Sequence, residues 1–147
     1  MSDIYVDDVG EGFPFVLVHG YLGSSEMWTF QKEFFSKDYR VIIPALPGFG
    51  ESHNIKSLDS INKMAKEIIN VLDQKKIDKF NLIGHSMGGM IVQEITKLIG
   101  NRVNKLICFA TGSKIFQDDL RLWMKQEKNL RKKARNSLFL EYLLNGL

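Results

Sequence analysis

One serine in this chain stands in the pattern Gly84-His85-Ser86-Met87-Gly88, that is, G-x-S-x-G. A serine hydroxyl is a poor nucleophile unless it is held exposed and close to a base. The flanks suggest how it is held. The apolar run Phe80-Asn81-Leu82-Ile83 precedes it and an amphipathic stretch beginning near Met87 follows, so strand, sharp turn and helix are predicted in that order. A strained turn of this kind lifts Ser86 off the strand end. It also places Ser86 at a helix N-terminus, where unpaired N–H groups and the positive dipole end favour a developing anion. Gly84 and Gly88 remove the Cβ atoms that would clash where the chain folds back. The chemistry implied is attack of the hydroxyl on a carbonyl. The competing reading is a buried, glycine-flanked turn with no chemistry.

Other chemistry is weakly signalled. No Cys/His/carboxylate spacing suggests a metal, and no cofactor is expected. Cys108, the single cysteine, lies in an apolar stretch and is expected to be an inert core thiol. It excludes an internal disulfide and fits a reducing compartment. The run Arg131-Lys132-Lys133-Ala134-Arg135 is expected to be a solvated helix face.

The elements that must position Ser86 can be read in order. Ile4-Tyr5-Val6 suggests a short strand, ended by turn residues from Asp7 to Gly12. Phe15-Val16-Leu17-Val18 has the length and β-branching of a strand buried on both faces. The loop His19 to Ser25 follows, then a helix from about Ser25, as N-cap, to Phe35. Tyr39 to Ile43 is the next strand. Pro44 to Ser52 is a rigid, glycine-punctuated loop. Ile61, Met64, Ala65, Ile68 and Leu72 mark the buried face of a helix from about Ser57 to Gln74. Beyond Ser86, a stripe of Met87, Met90, Ile91, Ile95, Leu98 and Ile99 predicts a helix stopped at Gly100. Val103 to Phe109 is a further strand. Strands alternating with helices imply crossover units, so the fold class is α/β with a mainly parallel sheet and helices on both faces.

After about Gly112 the composition shifts. Residues 114–147 carry eight basic and four acidic side chains, a net of 8 − 4 = +4, so the other 113 residues net 3 − 4 = −1. Phe116, Leu120, Trp123 and Met124 at helical spacing predict helices there, and Leu138 to Leu144 a second apolar face. A total of 147 residues, 44% hydrophobic and 25% charged, describes a globular chain with a real core. A net charge of +3 is too small to argue for nucleic acid. The polar start Met1-Ser2-Asp3-Ile4 does not resemble a signal peptide. No uncharged apolar run approaches the roughly 20 residues of a membrane span. A cytoplasmic location is expected, with a small-molecule substrate and neither nucleic acid nor membrane as partner.

With these residues in view, the chain resembles the α/β-hydrolase superfamily, most of all its capped small-molecule esterases and carbon–carbon hydrolases. Three motifs carry the resemblance, in order: Val16-Leu17-Val18-His19-Gly20, Leu46-Pro47-Gly48-Phe49-Gly50-Glu51-Ser52 and Gly84-His85-Ser86-Met87-Gly88-Gly89. The resemblance covers residues 4 to about 113. It implies an N-terminal part of the hydrolase core over 1–113 and the start of a helical cap over 114–147. Ser86 takes the nucleophile position. The oxyanion hole would use the backbone N–H of Met87 and a second from the loop after His19-Gly20, of Tyr21 before Leu22. Each such donor is worth about 3–4 kcal/mol in the transition state. A serine there sets the chain apart from the aspartate-dependent dehalogenases and epoxide hydrolases of the same fold.

Two departures stand out. Ala45 replaces a common aspartate, so the loop that follows is expected to be less firmly held. The family order is Ser, then Asp or Glu, then His, yet His19, His53 and His85 all precede Ser86. His85 is expected to pack at the elbow, His19 to brace the oxyanion loop and His53 to be a loop residue. The acid and base are therefore expected to be missing from this chain, a truncated form of the fold that alone is inactive or nearly so. The expected function is a serine hydrolase acting on a carboxylic ester or similar bond of a small, largely apolar molecule. The alternatives are a non-catalytic ligand-binding module or one half of a split enzyme. The strand Val103 to Phe109 would present an open edge, so the chain is expected to self-associate or take up a complementing C-terminal chain.

Overall fold

The structure, a computed structural model, describes residues 4–112. The described residues belong to one compact unit, bounded at Lys114. The expected cap over 114–147 lies outside them.

Among the described residues five strands form one sheet: β1 (Val6–Val9), β2 (Phe13–Val18), β3 (Tyr39–Pro44), β4 (Phe80–His85) and β5 (Val103–Phe109), in the spatial order β1-β3-β2-β4-β5. β2 pairs in parallel with β3 and with β4, and β4 in parallel with β5. Only β1 runs antiparallel, against β3. Helices α1 (Thr29–Phe35), α2 (Ile61–Gln74) and α3 (Met87–Ile99) complete the crossovers. The mainly parallel α/β reading is thus the observed architecture.

Strand composition explains the layering. Val16, Leu17 and Val18 of β2 are all fully buried, as a central parallel strand covered on both faces requires. Phe15, Leu17, Val41 and Ile43 face one side, packed with Trp28, Phe35 and Tyr39. Val16, Val18, Ile42 and Leu82 alternate to the other, where α3 crosses β2, β4 and β5 with α2 beside it. Each such side chain contributes roughly 1.5–3 kcal/mol by leaving water.

The register of β1 corrects the expected strand at Ile4 to Val6. Asp7 and Asp8, read as turn residues, pair with Ile43 and Ile42 in the sheet. Aspartate is a poor strand former, but here both carboxylates are neutralised. Asp7 meets Lys32 at 2.8 Å, and Asp8 takes a two-pronged contact from Arg40 at 2.8 and 2.7 Å and a third from Lys75 at 2.9 Å. The Arg40 guanidinium holds the Asp8 carboxyl down to about 2, against the burial that would raise it.

Three further expectations shift. Ser24, not Ser25, caps the first helical segment, by accepting from the Glu26 N–H at 3.3 Å. A 3-10 turn, Ser25–Trp28, then leads into α1. Helix α2 begins at Ile61 with Ser60 as its cap, while Ser57 packs over Gly48, whose missing Cβ leaves room for it. On α3 the buried face includes Val92 as well as Met87, Ile91 and Ile95, and Leu98 is 40% exposed. Gly88 and Gly89 press the first turn of this helix against neighbouring chain and so set its rotation.

At the far end of the sheet, β5 is bonded among the described residues to β4 alone. Leu106, Ile107 and Phe109 are 39, 47 and 59% exposed. Cys108 is exposed as well, which corrects its expected place in the core: the described elements cover β5 only in part.

Candidate active site

β4 ends at His85 and α3 begins at Met87, so Ser86 alone makes the turn. Its backbone sits at φ 53°, ψ −119°, a region that costs a side-chain-bearing residue about 1–3 kcal/mol. Such a conformation persists only where its surroundings over-determine it, and here they do. The Ser86 N–H donates to the Phe109 carbonyl at 3.0 Å, and the Ser86 carbonyl accepts from the Gly89 N–H at 2.9 Å and from Thr111 Oγ1 at 2.7 Å.

The flanking glycines answer to sterics, as their spacing predicts. A Cβ on Gly84 would overlap the carbonyl group of Gly88, and one on Gly88 would overlap the carbonyl oxygens of Val18 and His19. Strand β4, the first turn of α3 and the end of β2 therefore meet without side chains between them. The third glycine, Gly89, makes room for Thr111 in the same way.

Facing the elbow is the loop after β2. A Cβ on Gly20 would lie 3.1 Å from Ser86 Cβ, so the Gly20 backbone lies directly against the serine and the loop carrying Tyr21 borders it. The loop turns tightly, with Leu22 at φ 58° and the Gly23 N–H donating to the Gly20 carbonyl at 3.1 Å. The Tyr21 ring packs edge-on against Phe49 at 5.5 Å.

His19 holds this loop and is fully buried. Its Nε2 accepts from the Leu46 N–H at 2.9 Å, which assigns the proton to Nδ1, and Nδ1–H donates to the Gly20 carbonyl at 2.8 Å. Both ring nitrogens are spent on backbone, and burial lowers the pKa, so the imidazole is a neutral brace rather than a base. Phe49 stands against its ring at 6.1 Å.

The second motif supplies the support. Residues 46–52 fold on themselves through Gly48 N–H to Ser52 O at 3.0 Å, Phe49 N–H to Leu46 O at 3.0 Å and Ser52 N–H to Phe49 O at 2.9 Å. The Tyr5 N–H donates to Ser52 Oγ at 2.9 Å and the Ala45 N–H to the Tyr5 carbonyl at 2.9 Å. Ser25 Oγ donates to Glu51 at 2.5 Å, which is why Ser25 does not cap a helix. Burial alone would raise the Glu51 carboxyl, but the bonds from Ser25 hold it below its ordinary value. The expectation that Ala45 leaves this loop loosely held is therefore corrected: Tyr5, just ahead of β1, and Ser25 anchor it.

The other two histidines make different contacts, and His85 Nδ1 borders the same Gly20 backbone as the serine, 3.2 Å from where a Gly20 Cβ would lie. His53 Nδ1 lies 3.0 Å from the Gly50 carbonyl at an exposed turn. The His85 ring is tilted against Phe109 at 5.4 Å, with Nδ1 buried and unpartnered among the described residues. Among those residues no imidazole is hydrogen-bonded to the Ser86 hydroxyl, and no group of three His, Cys, Asp or Glu side chains could hold a metal ion. No described helix is long and apolar enough to cross a membrane. Sequence reasoning missed Thr111, Gln93 and the Ser25–Glu51 pair, because each acts through a contact distant in sequence.

A strained serine between a parallel strand and a helix, faced by a glycine loop, is the arrangement of the alpha/beta hydrolase fold. The profile of that family matches residues 14–139, and the chain belongs to it. It is 35% identical over 101 residues to the dihydrolipoyllysine-residue acetyltransferase component of the acetoin cleaving system of Pseudomonas putida, covering 69% of this chain and 27% of that protein. It is 33% identical over 116 residues to a pimeloyl-[acyl-carrier protein] methyl ester esterase of Legionella pneumophila, covering 79% of this chain and 45% of that one. Among solved structures it is similar to a thermophilic esterase from Thermogutta terrifontis, with a TM-score of 0.71 at 29% identity over 77% of this chain and 42% of that one. The chain thus spans between 27 and 45% of the length of these curated relatives.

Proposed function

We propose that this chain carries the nucleophile and oxyanion hole of a serine hydrolase acting on a carboxylic ester, or similar bond, of a small, largely apolar molecule. The observation that carries the reading is Ser86 at φ 53°, ψ −119° with the Gly20 backbone directly against it. In the proposed reaction Ser86 Oγ attacks the carbonyl carbon while its proton passes to a base. The carbonyl oxygen becomes an oxyanion, which accepts from the N–H groups of Met87 and Tyr21. Met87 is the first residue of α3, so its N–H has no partner inside the helix and points where the dipole favours negative charge. Collapse of the intermediate expels the alcohol, whose oxygen takes the proton back from the base, and leaves an acyl-serine; water, deprotonated by the same base, then attacks it and releases the carboxylic acid and free Ser86.

The three imidazoles do not furnish that base in this reading: both ring nitrogens of His19 are spent on backbone, and neither His53 nor His85 is hydrogen-bonded to the Ser86 hydroxyl among the described residues. The 147-residue chain is therefore expected to turn over slowly by itself, in a cytoplasmic setting compatible with its lone thiol. In a triad hydrolase, loss of the base lowers kcat by about 10⁶, while the oxyanion hole keeps about 10³–10⁴ over water. Turnover of p-nitrophenyl butyrate and labelling by a fluorophosphonate, located by mass spectrometry, are measured in the chain and in Ser86→Ala. Slow turnover and slow labelling at Ser86, both lost in Ser86→Ala, support the reading. Turnover that survives Ser86→Ala, or labelling at another residue, refutes it.

A further inference from the structure

We propose that Thr111 is a positioning residue for the nucleophile: its hydroxyl holds the Ser86 carbonyl, and so keeps the strained elbow in the conformation that presents Ser86 Oγ. The inference rests on the reading of Ser86 as nucleophile. Its grounds are the bonds to the backbone of one residue. Helix geometry supplies one donor to the Ser86 carbonyl, the Gly89 N–H at 2.9 Å. The second and shorter bond, 2.7 Å, comes from Thr111 Oγ1, 25 residues away in sequence. The Ser86 N–H is engaged from the same segment, by the Phe109 carbonyl at 3.0 Å. Ser86 is thus gripped at its N–H and at its carbonyl by residues 109 and 111, on either side of the turn that leaves β5.

That turn is itself built for the purpose. Ala110 has φ 47°, an unfavourable value for a residue with a side chain, and the kink returns the chain toward α3. Gly89 is what lets Thr111 close in, since a Cβ there would lie within 2.6 Å of the Thr111 Cβ, Oγ1 and Cγ2 atoms. Gln93 Nε2 then bonds both the Gly89 and the Gly112 carbonyls, each at 3.0 Å, and ties the segment to the helix. A residue that merely filled space beside Gly89 would need bulk and no hydroxyl. The short bond to a carbonyl that already has a helical donor points to the hydroxyl.

Thr111→Val keeps the shape and removes the hydroxyl, and Thr111→Ser keeps the hydroxyl. Amide hydrogen exchange is followed in the full chain at Gly89 and, as a reporter of global opening, at Val16. Loss of the Thr111 bond should speed exchange at Gly89 by up to ~10-fold relative to Val16 in Thr111→Val. Thr111→Ser should stay near the parent ratio, and labelling of Ser86 by the fluorophosphonate should slow in the valine variant alone. Thr111→Ala gives the same comparison without bulk against Gly89 if valine unfolds the chain. An unchanged Gly89-to-Val16 ratio in the variants lacking the hydroxyl, or a serine variant that behaves like valine, overturns the proposal. Exchange does not require Ser86 to react, so a parent chain that takes up no probe counts against the hydrolase reading while the exchange ratio still decides the role of Thr111.

Discussion

Replacing Ser86 by glycine should stabilise the protein while removing the proposed nucleophile. The serine holds φ 53°, ψ −119°, at a cost of about 1–3 kcal/mol for a residue with a Cβ. Glycine occupies positive φ freely, but it loses roughly 0.5–1 kcal/mol more conformational entropy on folding. The difference is a gain on the order of 1 kcal/mol, or about 2–4 °C in Tm for a chain of this size. Ser86→Ala is the control, because it removes the hydroxyl and keeps the Cβ and therefore the strain. It should leave Tm close to the parent value. Gly88→Ala should act in the opposite direction, since its Cβ would meet the backbone carbonyls of Val18 and His19, which have no flexible side-chain end to move aside. Overpacking of this kind costs about 1–3 kcal/mol or more, and valine at Gly84 or Gly88 should cost more still. Thermal and urea unfolding followed by circular dichroism at pH 7 measure all of these. If Ser86→Gly melts below Ser86→Ala, or Gly88→Ala is neutral, the elbow does not store strain in the way these contacts imply.

The Asp8 carboxyl falls from an ordinary 3.8 to about 2 in the fold. Its contribution, on the order of 2 kcal/mol before solvent screening, is complete above the unfolded value and lost as pH falls through about 2; Asp8→Asn should flatten that acid limb in urea titrations. Cys108 should react with a thiol reagent in the folded chain, at a rate slowed by the burial that raises its pKa; reaction only on unfolding would return it to the core. β5, with Leu106, Ile107 and Phe109 exposed, should bring two copies together, so light scattering should show species above the monomer that Ile107→Lys reduces. A sharp monomer that unfolds cooperatively would overturn that expectation.

The elbow was legible in the sequence because its causes are local. Two glycines and a serine within five residues, after an apolar run, specify a turn that few other sequences tolerate, and the family resemblance rests on the same residues. The central strands were legible for a similar reason: Val16, Leu17 and Val18 are apolar without alternation, which fits burial on both faces. Where one polar residue could serve two partners, local reading failed. Ser25 reads as a cap until Glu51 takes its hydroxyl. Asp7 and Asp8 read as a turn until Lys32, Arg40 and Lys75 neutralise them. Cys108 reads as a core residue because an apolar strand does not say whether anything covers it.

The same division runs through the site itself. Local pattern places the strain at Ser86, but what holds it comes from three separate stretches of chain. Gly20 approaches from the end of β2, braced by His19, which is in turn fixed by the Leu46 N–H. Phe109 and Thr111 approach from the end of β5. Phe49 packs against both His19 and Tyr21, linking the second motif to the loop that follows β2. In a parallel sheet these strand ends emerge side by side, because β2 and β5 flank β4 and run in the same direction. A serine held in a strained turn at the end of a central strand is therefore met from both sides, by the Gly20 backbone beyond β2 and by the bonds of Phe109 and Thr111 beyond β5.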